Sequence, residues 1–480
     1  MNFAIVRYIL GWILKFEAGF MLLPMIVGLI YDEYHDSLSY AFTALLCLIT
    51  GILFSKHKVK HFQLYAREGF TSVALGWIAL SIFGALPFVL SGDIPRYIDA
   101  LFECVSGLTT TGASILSDVE ALSHTNLFWR SFTHWIGGMG VFVFIIAILP
   151  LMGGSTMNLM RAESTGPSVG KLVPRVRDTA KLLYIIYIGL TVIGAISLFL
   201  SGLDIFDSLT TIFGTVGTGG FATYNNSAAA FPQFTQNLIT LFMILSGINY
   251  TFYYYLLRKQ IKEAFSIEEV CWYLAIILLS AFIIVLNIKN QYPTWEETFR
   301  HAFFQVGSII TSTGYATTDY NLWPQLSKTI LVMLMFMGAC SGSTGGGIKV
   351  SRILILFKSI KKELSMMIHP RMVKKIKMNG HNVPHEVIRS TNVFIAVYFV
   401  IMLTSLLLIS IDNFDFTTNI TAVLATLNNT GPGFEMVGPT GNFSIYSDFS
   451  KLILMFDMLA GRLELFPMLI ILVPSCWRKY

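Results

Sequence analysis

The sequence predicts an all-α membrane protein. It has ten transmembrane helices and four re-entrant pore helices, set in four pseudo-fourfold helix–pore loop–helix repeats around one central pore, plus two extra N-terminal helices. Three observations predict it. Of 480 residues, 54% are hydrophobic and only 13% charged, about half the charge of a soluble domain at roughly 25%. The basic residues collect on alternate loops, and four glycine turns recur at comparable intervals. Composition excludes the disordered, collagen-like and disulfide-scaffold classes, and no polar linker divides the chain into soluble domains.

About 20 apolar residues cross the hydrocarbon core as a helix. Ten stretches qualify: 4–31, 38–55, 70–91, 126–151, 181–202, 234–257, 270–288, 327–357, 391–411 and 451–475. The first is too long for a signal-peptide core and lacks a small-residue cleavage site, so it is expected to stay as a span. Loops 56–69, 152–181, 258–269 and 358–390, the C-terminal tail and the adjoining helix ends hold most of the Lys and Arg. They include Lys58, Lys60, Arg161, Lys171, Arg175, Lys181, Lys349, Arg352, Lys374 and Lys479. The opposite loops carry acids such as Glu33, Asp93, Asp204, Asp207, Asp412 and Asp415. The positive-inside rule then puts both termini in the cytoplasm, and the net charge of +5 marks a membrane side rather than a nucleic-acid surface. Outer acids would raise the local cation concentration, or they are there only because Lys and Arg are not. Cys47, Cys104, Cys271, Cys340 and Cys476 are too scattered for metal-ligand spacing and read as small apolar residues.

Four non-cytoplasmic segments, Tyr97–Ser114, Asp204–Thr223, Thr294–Thr317 and Phe416–Glu435, are too apolar for plain loops. Each opens with a half-length apolar stretch, too short to span, and ends in hydroxyl and glycine residues. Matching Gly112, Gly220, Gly314 and Gly431 gives spacings of 108, 94 and 117 residues. Gly219 could replace Gly220 in that match, but Gly220 aligns Gly-Phe-Ala-Thr with Gly-Tyr-Ala-Thr at 314–317. The chain divides accordingly into residues 1–62, the two helices outside the pattern, and repeats at 63–160, 161–264, 265–375 and 376–480.

Irregular backbone at membrane depth survives only where protein buries it or it lines a water-filled cavity. Four such turns converge naturally on one axis, and rings of backbone carbonyls can replace the hydration shell of a monovalent cation. The candidate ligands are Thr110, Thr111, Gly112, Thr218, Gly219, Gly220, Thr313, Gly314, Asn429, Thr430 and Gly431. The ion itself is expected at Thr111, Gly112, Gly219, Gly220, Thr313, Gly314, Thr430 and Gly431. No carboxylate lies in the hydroxyl–glycine core of any turn, whereas a divalent-cation site would favour carboxylates. Ordinary polar outer turns would account for one such segment, not for four in register.

These segments resemble the potassium transporters of the Trk/Ktr/HKT superfamily, the bacterial TrkH/TrkG branch most closely. The resemblance extends to Trp135-Ile136-Gly137-Gly138-Met139-Gly140, to the run from Gly338 to Lys349, and to Gly461-Arg462-Leu463-Glu464-Leu465-Phe466-Pro467. It implies K⁺ as the ion carried, no organic cofactor, and a homodimer in the bacterial inner membrane. It also implies a cytosolic TrkA-like nucleotide-binding regulatory subunit as partner. The second turn departs from the pattern in being poorer in hydroxyls, with Gly217 and Gly219 around Thr218.

Gly338, Ser341, Gly342, Ser343, Thr344, Gly345, Gly346 and Gly347 fall in mid-span, where each Gly costs a helix about 1 kcal/mol. An unwound loop is expected there, acting as a gate under the resemblance; a close-packing helix surface is the competing reading. Arg462 is a charge at mid-span, where residues face a cavity or a partner. The resemblance makes it an electrostatic barrier below the filter, while a structural ion pair with Glu464 or Asp457 stays open. Lys15 and Glu17 are assigned no transport role; snorkelling or a protomer contact is expected. The basic segment Lys358–Lys377 reads as a docking surface that anionic lipid would also attract.

A gated K⁺-selective pore is thus the leading reading, and an H⁺- or Na⁺-coupled or less selective symporter on the same scaffold is the alternative. An enzyme is not expected: no paired acids, Ser/His pair or HExxH appears within the bundle. A carrier for non-ionic solutes would place its broken helices around a midplane site rather than four turns on one side.

Overall fold

Apolar length sets the elements. The computed structural model describes residues 1–56, 65–140, 176–372 and 375–478. Within them, six helices are long and apolar enough to cross a membrane: Phe3–Ile30, Tyr34–Ser55, Ala66–Ser91, Ala180–Leu200, Glu268–Ile288 and His385–Asp412. Their outward faces stay apolar, as at Ile185, Ile188, Val192, Ile196 and Phe199. An exposed surface of this kind belongs against lipid.

Helices α1 (Phe3–Phe20) and α2 (Leu22–Ile30) form one bent span beside α3 (Tyr34–Ser55). The first repeat has α4 (Ala66–Gly84), α5 (Leu86–Ser91), a half-helix α6 (Tyr97–Leu108) and α7 (His124–Met139). The second has α8 (Val176–Leu200), half-helix α9 (Ile205–Val216), α10 (Gln233–Ser246), α11 (Tyr250–Leu257) and a short α12 (Ile261–Phe265). The third has α13 (Glu268–Ile288), half-helix α14 (Trp295–Ile310), α15 (Gln325–Met337) and α16 (Val350–Ile368). The hairpin of β1 (Lys377–Met378) and β2 (His381–Asn382) follows. Its two-residue turn, Asn379-Gly380, has both φ angles positive, as a type I′ turn requires. The fourth repeat has α17 (His385–Ile409), half-helix α18 (Phe416–Leu427), α19 (Asp448–Arg462) and α20 (Phe466–Leu472).

Helix starts are written locally. Asp204 caps α9 by accepting from the Asp207 N–H at 2.7 Å, and Asp415 caps α18 through the Thr418 N–H at 2.9 Å. The Thr418 hydroxyl also bonds Asp415 and holds its carboxyl below the ordinary value. Glu33 and Asp93 likewise accept from the start of α7 and the residue before it. Much of the acidity of these loops is therefore engaged in ending and starting helices.

Packing closes the four units into a ring. Each half-helix lies on the second helix of the preceding repeat: α9 on α7, α14 on α10, α18 on α15, and α6 on α19.

The sequence reading anticipates an interruption only in the third repeat. In fact α7 ends at Gly140, the edge of the described residues there, and the second helices of the other three repeats stop halfway, at 247–249, at 338–349 and at 463–465. Helices of 16, 14, 13 and 15 residues rise about 20–24 Å, short of the ~30 Å core. The last interruption carries no glycine signal, since Glu464 and Leu465 adopt positive φ of 60° and 65°.

Other expectations also change. Glu17 does not snorkel: it is 2% exposed, packed beside Gly84 at the end of α4, while the Lys15 ammonium sits 4.5 Å over the Trp12 ring. Lys349 and Arg352 are buried rather than part of a basic face. Cys271 is exposed, while the other four cysteines are buried as expected. Residues 141–151 of the expected span 126–151, the divisions at 62/63 and 160/161, and Lys58, Lys60, Arg161, Lys171, Arg175, Lys374 and Lys479 lie outside the described residues.

Candidate functional site

All four half-helices end in the same way. The N–H of Thr111, Gly219, Thr313 and Thr430 reaches back five residues, to the carbonyls of Ser106, Gly214, Ser308 and Ala425, at 2.8–2.9 Å. The residue before each is left-handed: Thr110 at φ +53°, Thr218 at +54°, Ser312 at +56° and Asn429 at +52°. This is the Schellman ending. Glycine usually takes its left-handed position, since other residues are strained there by about 1–2 kcal/mol. Four equivalent strained residues signal a conformation imposed by the surroundings. The negative ends of four helix dipoles thereby meet at one place, which favours a cation.

The next residue in each turn is Gly112, Gly220, Gly314 or Gly431, at φ +80°, +81°, +87° and +93°. A side chain on any of them would strike the neighbouring turn. A Cβ on Gly112 would overlap the carbonyl oxygen of Gly219, one on Gly220 that of Thr313, one on Gly314 that of Thr430, and one on Gly431 that of Thr111. The sequence of contacts runs through the four repeats and returns to the first. Gly220, not Gly219, takes the conformation of the other three glycines.

Side chains stitch every adjacent pair of turns. Buried Arg130 pairs with buried Glu103 at 2.7 Å, and Glu103 and Arg130 reach Ser114 after the first turn and Ala222 after the second. Tyr315 donates to the Phe221 carbonyl, and Tyr320 donates to that of Gly433. Asn429 donates to the Thr111 hydroxyl and to the Met458 carbonyl, each at 2.9 Å. Sequence reading gave Glu103, Arg130 and both tyrosines no role, because the partners they meet lie in distant segments.

His134 accounts for the hydroxyl-poor second turn. Its Nδ1 lies 2.7 Å from the Gly107 carbonyl, and its Nε2 accepts from the Phe221 N–H at 3.1 Å. These partners assign the proton to Nδ1. Its ring fills the space that a side chain on Gly219 would need.

On one side of the ring lies a cavity of about 320 Å³, lined by Gly112, Gly220, Gly314 and Gly431 and by loops carrying Asn225, Asn226, Thr440 and Asn442. No carboxylate is among the described residues that line it. The buried Thr430 hydroxyl has no partner among the described residues.

On the other side lies the glycine-rich run. Gly346 N–H donates to the Ser312 hydroxyl at 2.5 Å, and Gly345 and Gly346 lie against the Thr311 and Asn428 carbonyls with no room for a side chain. Lys349 folds back onto the carbonyls of Gly345 and Gly346. Arg462 joins three parts of the site. It donates to the Thr110 hydroxyl at 3.3 Å, to the Thr344 carbonyl at 2.8 Å, and to the carbonyls of Gly137 and Gly138. Glu464 pairs with Arg352, and Asp457 accepts from Ser405 at 2.7 Å. Gly338, Gly342 and Gly347 have positive φ, while Ser341, Ser343 and Thr344 are buried. The close-packing helix surface is thus replaced by irregular chain.

Comparison with known proteins agrees over the full length. The family model described as TrkH, cation transport protein, matches residues 38–290 and 270–479. The chain is 38% identical to the Trk system potassium uptake protein TrkH of Salmonella typhimurium, covering 100% of both chains. It is 34% identical to the Trk system potassium uptake protein TrkG of Escherichia coli, covering 99% of both. The crystal structure of the potassium transporter TrkH from Vibrio parahaemolyticus superposes with a TM-score of 0.89, at 32% identity and complete coverage of both chains. A ring of four half-helices, matched from end to end in sequence and structure, makes this chain a member of the TrkH family of cation transport proteins, transporters and not enzymes.

Proposed function

We propose that the chain takes up K⁺ across the bacterial inner membrane through one channel-like pore. The four glycine turns form its filter, and the 338–347 loop with Arg462 forms its barrier. The observation that carries this is the closed ring, in which each glycine abuts a carbonyl of the next repeat. Carbonyl and hydroxyl oxygens in that arrangement can strip water from a monovalent cation without the grip of a carboxylate. The unpartnered Thr430 hydroxyl adds a further oxygen there. K⁺ is the cargo, at Thr111, Gly112, Gly219, Gly220, Thr313, Gly314, Thr430 and Gly431. Relatives named as potassium uptake proteins support that ion.

Below the ring the guanidinium of Arg462 and the loop stand in the way. A fixed cation there repels K⁺, and a glycine-rich backbone without helical bonds can move at low cost. The ten spans are read as six continuous helices and four broken ones, with both termini cytoplasmic, and the repeats divide at 62/63, 160/161, 264/265 and 375/376. The word "system" in the relatives' names fits a cytosolic TrkA-like nucleotide-binding subunit. The exposed apolar row Phe357, Ile360, Leu364 and Met367 on α16 fits a homodimer contact.

Flux in proteoliposomes tests the reading. Purified protein should pass K⁺ and Rb⁺ well above Na⁺ and no organic solute. Equal Na⁺ flux would remove the filter, and solute flux would remove the pore. Uptake that demands an imposed H⁺ or Na⁺ gradient would select the symporter instead.

A further inference from the structure

The loop under the glycine turns is held by a residue that sequence reading left aside. Glu269, at the start of α13, is 4% exposed. Its Oε1 accepts from the Ser341 N–H at 2.6 Å and from the Ser351 N–H at 3.1 Å. Ser341 stands within the irregular chain and Ser351 in the first turn of α16, and their hydroxyls bond each other. One carboxylate therefore ties the loop to the helix that follows it, through charge-assisted bonds roughly twice as strong as neutral ones.

The preceding residue faces the cytoplasmic hairpin. Glu268 pairs with Lys358 at 2.5 Å, and its N–H donates to the Asn379 side chain at 2.8 Å. Lys358 also donates to the Lys377 carbonyl of β1. Two consecutive glutamates at one helix start thus join the hairpin to the loop.

Behind the loop lies a cavity of about 560 Å³. Glu269, Ser341 and Ser351 line one part of it, and the hairpin residues Asn379 and Asn382, with Val383 just after them, line another. Gly345 and Gly346, which touch the turns, are not among its lining residues. The loop therefore meets the turns along one stretch and open space along another.

We propose that Glu269 is the positioning residue that holds the loop beneath the turns, and that this cavity is the recess into which the loop withdraws when the hold is released. This rests on reading the loop as the barrier. Displacement of the hairpin reaches the hold through Glu268, one residue away.

Two readouts test it on the full-length protein in proteoliposomes: K⁺ flux, and maleimide labelling of the native cysteines followed by peptide mass spectrometry. Cys340 is buried in the loop, Cys271 is exposed and Cys104 is buried in α6. Denatured protein gives the full-labelling reference, and Cys104 reports unfolding. Glu269→Ala should raise both K⁺ flux and Cys340 labelling by about tenfold, with Cys104 still protected, since two charge-assisted bonds are lost. Glu269→Gln, which keeps an acceptor oxygen, should give a smaller rise, and it decides the matter if Glu269→Ala labels Cys104. Val383→Trp, filling the recess, should cut flux and return the Glu269→Ala double variant towards wild type. Wild-type labelling and flux in both Glu269 variants would overturn the hold. Undiminished flux in the Val383→Trp double variant would overturn the recess. A rise in labelling without a rise in flux would uphold the hold and remove the barrier reading beneath it.

Discussion

Substituting Gly112 by Ala or Ser tests the ring most directly. Two penalties arise, and they can be separated. At φ +80° an L residue is strained by about 1–2 kcal/mol. The added Cβ also meets the Gly219 carbonyl oxygen far inside 3.0 Å, a separation that real Cβ atoms essentially never go below. That oxygen, which belongs to the next repeat, has to retreat by roughly 1 Å to regain van der Waals contact. A carbonyl that no longer faces the ion at the right distance costs the preferred cation more than its smaller rival. We expect the K⁺ over Na⁺ preference to fall by about tenfold, equivalent to about 1.4 kcal/mol. The assay is Rb⁺ uptake into proteoliposomes under competition from K⁺ and from Na⁺. Gly92 supplies the control: its φ is +88°, but a Cβ there meets nothing within 4 Å. Gly92→Ala should bear the backbone penalty and leave selectivity intact. The overlap is tightest at Gly220 and Gly112, smaller at Gly314 and least at Gly431, at 2.6 Å. Damage to selectivity should follow that order. Unchanged selectivity in Gly112→Ala, or equal damage in Gly92→Ala, would refute the reasoning.

Two other perturbations follow from the same geometry. Arg462→Ala removes donors to Thr110, Thr344, Gly137 and Gly138 together with the fixed charge, so K⁺ flux should rise several-fold. Arg462→Lys keeps the charge and loses the fork, so its flux should fall between the two; flux equal to wild type in Arg462→Ala would count against the barrier. His134→Ala takes away the support of the second turn at Gly107 and Phe221. It should lower selectivity while the protein stays folded, as judged by a retained melting transition, and wild-type selectivity would show that the turn stands without the ring.

Features carried by consecutive residues were legible beforehand. The apolar stretches, the hydroxyl–glycine turns and the unwound 338–347 run are local, because hydropathy and glycine act over a few residues. The match of Gly220 with Gly112, Gly314 and Gly431 was open in sequence, where Gly219 also fitted; a φ of +81° at Gly220 separates them. The interruptions in the second and fourth repeats were not legible. At Glu464 and Leu465 the break is made by residues with no preference for a left-handed backbone, so only packing imposes it.

Partners were the second gap. Arg462 bonds residues 118 to 352 positions distant. Arg130 and Glu103 come together 27 residues apart, and Glu269 meets Ser341 across 72. No periodicity in the chain encodes such meetings. Sequence alone determined the solvent, since too little charge remains to face water, and it determined the four turns, since glycine and hydroxyls mark them in place. Only the tertiary structure decided which carbonyl each glycine abuts, what holds the loop, and where His134 fills space. Those depend on side chains that distant segments bring within hydrogen-bonding distance, and the bilayer supplies no water to satisfy them otherwise.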